Sequence, residues 1–458
     1  MRMFSRLASA VLCLFLIAGM VACTATTKSQ VFRYQSDPSV QALVAGTPAN
    51  YPAASFIVFS DPHLLSPALG TGPALEEYLK NDRKLLRDST RIMDALVDAI
   101  SKEKADFVLV PGDLTKDGER LDHELAATYL ARIEATGKQV YVVPGNHDIL
   151  NPRAASYDVV GARPVPSVTP EEFAVIYRQF GYADALYRDK GTLSYVAEPV
   201  KGLWLLALDA CLYRENAGKT ESVTDGAFTP QTLDWIEQML IEATRKGKAV
   251  VVMMHHGVAE HFTGQEKYFG EYIVDNYEAV SRLFATYNVR LVFTGHYHAQ
   301  DITVRRFPGN KYLFDIETGS LVTYPCPYRM VSLTSSAATL RTGRVTSIVG
   351  HTSDFQSYSR DYIESGMSNI AATAIEDFGV PAVSAEKLAG QVAEAFVAHY
   401  AGDEKLPPGQ PAIDFKGTGF KGWLVVFARK GMVTGLWHDL PPADNNITIS
   451  LRDGSVQP

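Results

Sequence analysis

Cysteine is scarce in this chain of 458 residues: four in all, at positions 13, 23, 211 and 326. A disulfide-dense scaffold is thereby excluded. Basic residues are also in deficit, 43 Lys and Arg against 51 Asp and Glu, and no long Lys/Arg block occurs. That balance disfavours nucleic acid as the main partner. There is no internal repeat and no low-complexity tract. The apolar stretch near the start, residues 7–21, falls short of a comfortable membrane span. What remains is a globular composition on a chain longer than one compact core usually runs. One large domain with an appendage, or two domains, is expected.

The N-terminus says more. Arg2 and Arg6 precede the apolar stretch and small residues follow it, which reads as an export signal over residues 1–22. The segment Met20-Val21-Ala22-Cys23 resembles a bacterial lipobox, in which that cysteine becomes lipidated. Met20 stands where Leu is usual, and an ordinary secretory signal is the alternative. The expectation is an exported, membrane-anchored lipoprotein of the bacterial cell envelope, partnered with the membrane through Cys23, or else a secreted or periplasmic protein. Residues 23–54, polar and with little periodicity, read as a tether. Loss of residues 1–22 removes two Arg, leaving 41 basic against 51 acidic residues and a net charge of −10. Such a body is held off an anionic membrane rather than lying on it. Cys211 and Cys326 then remain, either bridged or as buried free thiols.

From residue 55 onward, strand and helix patterns alternate. SFIVFS is followed by apolar residues at helical spacing over residues 75–102, then ADFVLV, a helix over 120–136, and QVYVV. Strand, helix, strand at this spacing predicts parallel strands with right-handed crossovers. Residues 151–170, rich in Pro, Ser and Gly, read as a loop over the site. LWLLALD, a helix over 230–245, AVVVMM, a helix over 277–287 and VRLVF follow. Residues 301–349 look strand-like throughout, a meander finishing a second sheet. After residue 351 come two helical patches (363–378 and 384–400) and a short β-like end that includes WLVVFARKGMVTGLW. The expected organisation is a catalytic domain over 55–350 and an accessory α+β subdomain over 351–458.

Five polar motifs each follow one of the apolar, β-branched-rich runs: Asp61-Pro62-His63, Gly112-Asp113, Gly145-Asn146-His147-Asp148, His255-His256 and Gly295-His296-Tyr297-His298. Buried strands delivering Asp, Asn and His at their carboxyl ends are how open α/β sheets build sites. Each motif alone has a bland alternative: a turn Asp, a helix cap, a satisfied structural His. Of the eleven His in the chain, however, five lie within these motifs even if His256 is set aside, so separate bland explanations for all of them do not hold. His256 is expected behind the site or facing substrate, and His261 in solvent. His123, His351, His399 and His438 are expected to be structural, and Asp117 and Glu119 to favour a helix N-terminus.

The ordered set resembles the calcineurin-like metallophosphoesterases over residues 55–298, and up to about 349. The resemblance implies an α/β fold, a four-layer α/β/β/α sandwich, with the C-terminal accessory segment outside it. It also implies two divalent or trivalent metal ions (manganese, iron or zinc): Asp61, His63 and His298 on one, Asn146, His255 and His296 on the other, and Asp113 bridging. Purple acid phosphatases have Tyr three residues after the bridging Asp, where this chain has Lys116, so a tyrosinate-coloured iron site is not expected.

Two cations sharing a water would activate it as a bridging hydroxide for in-line attack on phosphorus. His147 would stabilise the transition state or protonate the leaving oxygen, with Asp148 orienting it or capping a helix. The stretch from Gly112 to Glu119 is similar to the cyclic-nucleotide-phosphodiesterase-like branch, and a nucleotide-type or other small phosphodiester is the expected substrate. A phosphomonoesterase is the alternative. A metal-binding surface interaction protein without turnover is the reading from another class.

Overall fold

The computed structural model describes residues 30–80 and 82–457; residues 1–22, expected to be an export signal, and Cys23 lie outside the described residues. Along the chain, β1 (Ala54–Val58), α1 (Ser89–Lys102), β2 (Phe107–Val110), α2 (Arg120–Glu134) and β3 (Gln139–Val142) come first. A small hairpin, β4 (Ala155–Tyr157) and β5 (Ala162–Pro164), leads to β6 (Tyr187–Arg188), β7 (Tyr195–Val200) and β8 (Leu203–Leu208). Then come α3 (Pro230–Arg245), β9 (Ala249–Met254), α4 (Tyr277–Thr286), β10 (Leu291–Thr294), β11 (Asp301–Phe307) and β12 (Lys311–Glu317). The remainder is β13 (Pro327–Leu333), β14 (Ala337–Arg344), α5 (Phe355–Asp377), α6 (Ala382–Ala401), α7 (Gly419–Leu436), β15 (Asn446–Ser450) and β16 (Val456–Gln457).

Two seven-stranded sheets result, ordered β16-β15-β14-β13-β1-β2-β3 and β11-β12-β10-β9-β8-β7-β6. In the first, β1, β2 and β3 are parallel, while β13 joins β1 antiparallel. In the second, β8, β9, β10 and β12 are parallel neighbours. Strand alternation separates the layers. Val251 and Met253 of β9 enter the core between the sheets, while Val250, Val252 and Met254 face the cluster formed with α3 and α4. The Phe56 and Phe293 rings meet edge-on at 5.1 Å, one from each sheet. Helices α1 and α2 cover the first sheet with Ile92, Leu96 and Leu130. The expected sandwich is therefore present: helices outside, two mixed sheets inside.

Four expectations changed. The helical pattern over 75–102 breaks into Pro73–Leu79, a short turn at Leu86–Asp88, and α1. Between them the chain detours, with Leu85 N–H donating to Val322 O at 2.7 Å, which carries Arg83 and Lys84 inward. The meander over 301–349 divides, β11 and β12 joining the second sheet and β13 and β14 the first. Residues 419–436 form helix α7, not strand: Gly422, Val426, Val433 and Leu436 make a buried stripe at helical spacing. Finally, the region read as a tether is docked from Phe32 onward. Phe32 and Val40 are buried against α3, and Glu237 accepts the Arg33 and Tyr34 N–H groups at 2.7 and 3.0 Å.

Helices α5, α6 and α7 share a fourth core with Phe262, Phe269, Tyr297 and Ala299. Residues beyond 351 thus pack directly under the Gly295–His298 turn. Cys211 and Cys326 are free thiols.

Candidate dinuclear metal centre

Each motif sits where a strand of one sheet runs out toward the other. Asp61 and His63 follow β1, Asp113 follows β2, Asn146 and His147 follow β3, His255 follows β9, and His296 and His298 follow β10. The turns that present them are strained. Asp61, His63, Asp113, His296 and His298 have φ of 51°, 37°, 48°, 79° and 74°. Among the described residues, eleven non-glycine positions have positive φ, so nearly half of this strain is concentrated here. Each such residue costs roughly 1–3 kcal/mol, held in place by surrounding packing. Two glycines allow the crowding: a Cβ at Gly145 would collide with the Asp113 carboxylate, and one at Gly295 with Ser60 and Asp61.

The donor atoms form two groups that share Asp113: Asp61, His63, Asp113 and His298, and Asp113, His255 and His296. Within the first, His63 Nε2 lies 3.1 Å from His298 Nε2 and 3.6 Å from Asp113 Oδ2, and His298 Nε2 lies 3.5 Å from Asp61 Oδ1. In the second, His255 Nε2 is 3.4 Å from Asp113 Oδ2 and 3.2 Å from the Asn146 side-chain oxygen. These residues are at most 4% exposed. Donors bound about 2.1 Å from a common ion stand roughly 3.0–3.5 Å apart, so the spacing suits convergence on a cation. Asp61 Oδ1 has no hydrogen-bond partner among the described residues, as a ligand oxygen would not. The residues fit a pair of metal ions.

Hydrogen bonds from the far side of the rings set which nitrogen is offered. His255 Nδ1–H donates to Pro111 O at 2.8 Å, leaving Nε2 for the centre. His296 Nε2–H faces Thr224 O and Glu271 O at 3.1 and 3.3 Å, leaving Nδ1. Burial, then Lys84, holds His63 well below its ordinary value, and burial, then His256, does the same to His296. Burial also lowers His298, to about 4, against the pull of Asp61. Those three imidazoles are neutral at neutral pH, the form that binds metal. His255 differs: burial works against its charge, but the Asp113 carboxylate prevails and raises it to about 9. A proton and a cation are alternatives for that lone pair.

His147 stands apart from both groups, with its side chain 25% exposed and its ring 4.9 Å from that of His63. Its Nδ1 lies 2.8 Å from Lys116 O and 2.9 Å from Asp117 Oδ1. The carboxylate on this ring is therefore that of Asp117, where sequence reasoning expected Asp148. Asp148 is buried and turned away. It accepts from Leu114 N–H, Thr115 N–H, the Thr115 hydroxyl and Gly145 N–H at 2.8–3.1 Å, clamping the turns that carry Asp113 and Asn146. Burial, then Asp113, raises Asp148 to about 6. Asp117 goes the other way, because Lys116 and His147 outweigh burial and hold it well below the usual carboxylate range. Lys116 is itself buried, ion-paired to Asp117 and, at 3.3 Å, to Glu119, with its ammonium over the Tyr78 and Tyr157 rings.

Other histidines divide cleanly. His256 is buried behind the centre, donating Nε2–H to Thr224 O at 2.8 Å with its ring 4.4 Å from that of His296. His261, expected in solvent, is fully buried and paired with Asp301 at 2.7 Å. His123 is structural, its ring nitrogens on Tyr177 Oη and Asp148 O at 2.8 and 2.7 Å. Sequence reasoning missed Asp117, Arg83 and Lys84. The charge of Lys84 is felt by His63, His298 and Asp117, and that of Arg83 by His298. Only the detour before α1 brings these two cations in, and no local spacing announces it.

The model of the calcineurin-like phosphoesterase family matches residues 54–300, more than half of the chain. The chain belongs to the calcineurin-like phosphoesterase family. As such it is a phosphoester hydrolase, and the two ligand groups are its candidate dimetal site. Solved structures with a similar fold include a dimetal phosphatase from Danio rerio, 17% identical with TM-score 0.46, covering 64% of this chain and 97% of that one. A 5'-nucleotidase precursor from Thermus thermophilus is 13% identical with TM-score 0.37, covering 70% of this chain and 59% of that one. NAD nucleotidase from Haemophilus influenzae is 13% identical with TM-score 0.32, covering 64% and 49%. No curated protein sequence matches this phosphoesterase.

Proposed function

We propose that this phosphoesterase is a phosphodiesterase acting on nucleotide-type or other small phosphodiesters. In it Asp61, His63 and His298 would hold one ion and Asn146, His255 and His296 the other, with Asp113 shared between them. The observation that carries this reading is the pair of ligand groups sharing Asp113, with His147 beside them on a carboxylate of its own. Manganese, iron and zinc all suit the mixed oxygen and nitrogen donors. When bound, such a pair supplies Lewis acidity toward phosphoryl oxygens and a water of lowered pKa.

The chain's own residues do the rest. Asp117 and the Lys116 carbonyl hold the proton of His147 on Nδ1 and aim Nε2 at the leaving oxygen, to which the protonated ring delivers a proton. Lys116, by pairing with Asp117, keeps that carboxylate ionised. Asp148 shapes the turns and does not touch the ring. Lys84 and Arg83 supply positive charge on the His63 and His298 side, suited to a phosphoryl group. Preference for a diester rests on the stretch from Gly112 to Glu119. Export and lipidation at Cys23 complete the proposal, and mass spectrometry of the mature N-terminus tests that part.

The deciding assay compares bis-p-nitrophenyl phosphate with p-nitrophenyl phosphate on protein reconstituted with Mn²⁺. Higher kcat/KM on the diester is expected. The reverse order makes it a phosphomonoesterase. Bound metal without turnover of either, across a wider ester panel, returns the binding-protein reading.

A further inference from the structure

We propose that the chain carries a third metal-ion site, apart from the dinuclear centre, in which Asp301, His399 and Glu404 hold one divalent first-row ion and fasten the C-terminal helices to the second sheet. Asp301 opens β11, immediately after the family-matched region, while His399 and Glu404 lie at the end of α6 and just beyond it. Asp301 and His399 are fully buried and Glu404 is 5% exposed. One donor atom from each lies within 4.8 Å of the other two.

The decisive observation is which atoms lack partners. Asp301 Oδ2, His399 Nε2 and Glu404 Oε2 are buried with no hydrogen-bond partner among the described residues. The other half of each side chain is engaged. Asp301 Oδ1 pairs with His261 Nδ1 at 2.7 Å, and His399 Nδ1–H donates to Glu404 Oε1 at 2.8 Å. That bond leaves His399 Nε2 as a lone pair, the tautomer a metal requires. A fourth unpartnered oxygen, Oδ1 of Asp439, belongs to a segment whose backbone pairs with Phe262, next to His261.

Neighbouring carboxylates show what satisfaction looks like in the same region. Asp315 accepts from Val258 N–H, Ala259 N–H and the Thr294 hydroxyl, and Asp444 from Ile302 N–H and Asp403 N–H. Neither buried cation nearby pairs with the orphaned oxygens: His261, in which burial is outweighed by Asp301 and Asp315 so that it is raised well above its ordinary value, lies on Asp301 Oδ1, and Arg329 is turned to backbone carbonyls. Its guanidinium donates to the backbone carbonyls of Glu317, Asp301 and Asp444. Leaving three acceptors unsatisfied in one dry spot would cost several kcal/mol, and like charges would add to it. A cation resolves all three at once. Oxygen donors alone would suit calcium or magnesium, but an imidazole among carboxylates favours a first-row ion such as zinc, iron or manganese.

The test counts metal on the mature protein. After dialysis against Zn²⁺ or Mn²⁺, the wild type should hold three ions per chain. Asp113→Ala, which dismantles the dinuclear centre, should keep one. Adding Glu404→Gln to that variant should weaken the remaining site by at least about tenfold and abolish the rise in Tm that Zn²⁺ produces. Asp113→Ala protein that binds no more tightly than the double variant would overturn the proposal. If either variant fails to fold, crystals of the wild type soaked in Zn²⁺ decide by anomalous scattering. A peak between Asp301, His399 and Glu404 supports the site, and its absence refutes it.

Discussion

Two buried clusters of carboxylates and imidazoles lie a few residues apart in sequence, one ending at His298 and the other beginning at Asp301, and they are built in opposite ways. The cluster around Asp113 gathers seven side chains from strand ends of both sheets, five of them on residues whose backbone is at positive φ. The cluster around Asp301 uses a strand start, a helix end and a loop, and none of its three proposed ligands has a positive φ. Strain is tolerated where donors must converge from many elements on a reacting group, and is unnecessary where one helix end only has to be fastened. Chemistry and fastening call for the same residue types. They differ in how the backbone is made to present them.

The largest separation between the two clusters should come from Asp113. Asp113→Ala is expected to cost at least about a thousandfold in kcat and both ions of the dinuclear pair, read by steady-state kinetics and metal analysis. Next is His147→Ala, which should retain both ions while kcat falls about a hundred- to ten-thousand-fold. If it lost metal with activity, His147 would belong to the ligand set and the comparison would need redrawing.

Asp117 and Asp148 give a finer contrast. Asp117→Asn should lower kcat about ten- to a hundredfold and bring the basic limb of the pH profile to lower pH, because the carboxylate that favours the protonated His147 ring is gone. Asp148→Asn should leave the shape of that profile alone and destabilise the fold by about 1–3 kcal/mol, seen in urea unfolding, since a buried acceptor of four bonds is altered.

The smallest effect is a pH slope beneath the centre. Burial, partly offset by its bond to the Asp148 carbonyl, lowers His123 from 6.5 to about 4. Below pH 6.5 the unfolded chain takes up a proton that the folded one refuses. The contribution of His123 to stability is intact above pH 6.5 and falls by about 1.4 kcal/mol per unit as pH drops toward 4. His123→Gln should flatten the dependence of the urea midpoint between pH 7 and pH 5. An unchanged slope would mean that the ring is not held neutral.

The sequence was legible where function demands contiguity. A strand that ends in Asp-x-His or Gly-His-x-His states its role within four residues, so the placement of all seven ligand-type side chains at strand ends is legible in the motifs, and the sandwich follows from the family resemblance they carry. What could not be read depends on distant partners. Asp117 lies on the His147 ring because two turns meet in space, and Asp148, one residue from that ring, points elsewhere. Arg83 and Lys84 enter because Leu85 is held by Val322, far along the chain. Helix α7 was mistaken for strand because its apolar run is rich in Val and aromatic residues, and only packing on α6 exposes the helical stripe. His399 reads as structural from the sequence, because a site shared with Asp301 and Glu404 leaves no local pattern.

The pairing of β1 with β13 also bears on how the molecule comes into being. β1 is the first strand among the described residues, yet the neighbour on one of its sides spans Pro327–Leu333, and the sheet continues beyond it to strands at 446–457. Asp61 and His63 hang from the end of that strand. A nascent chain must therefore keep its first ligands waiting until nearly three hundred later residues have emerged, and pairings this remote form slowly. Metal capture belongs to the close of folding rather than its beginning.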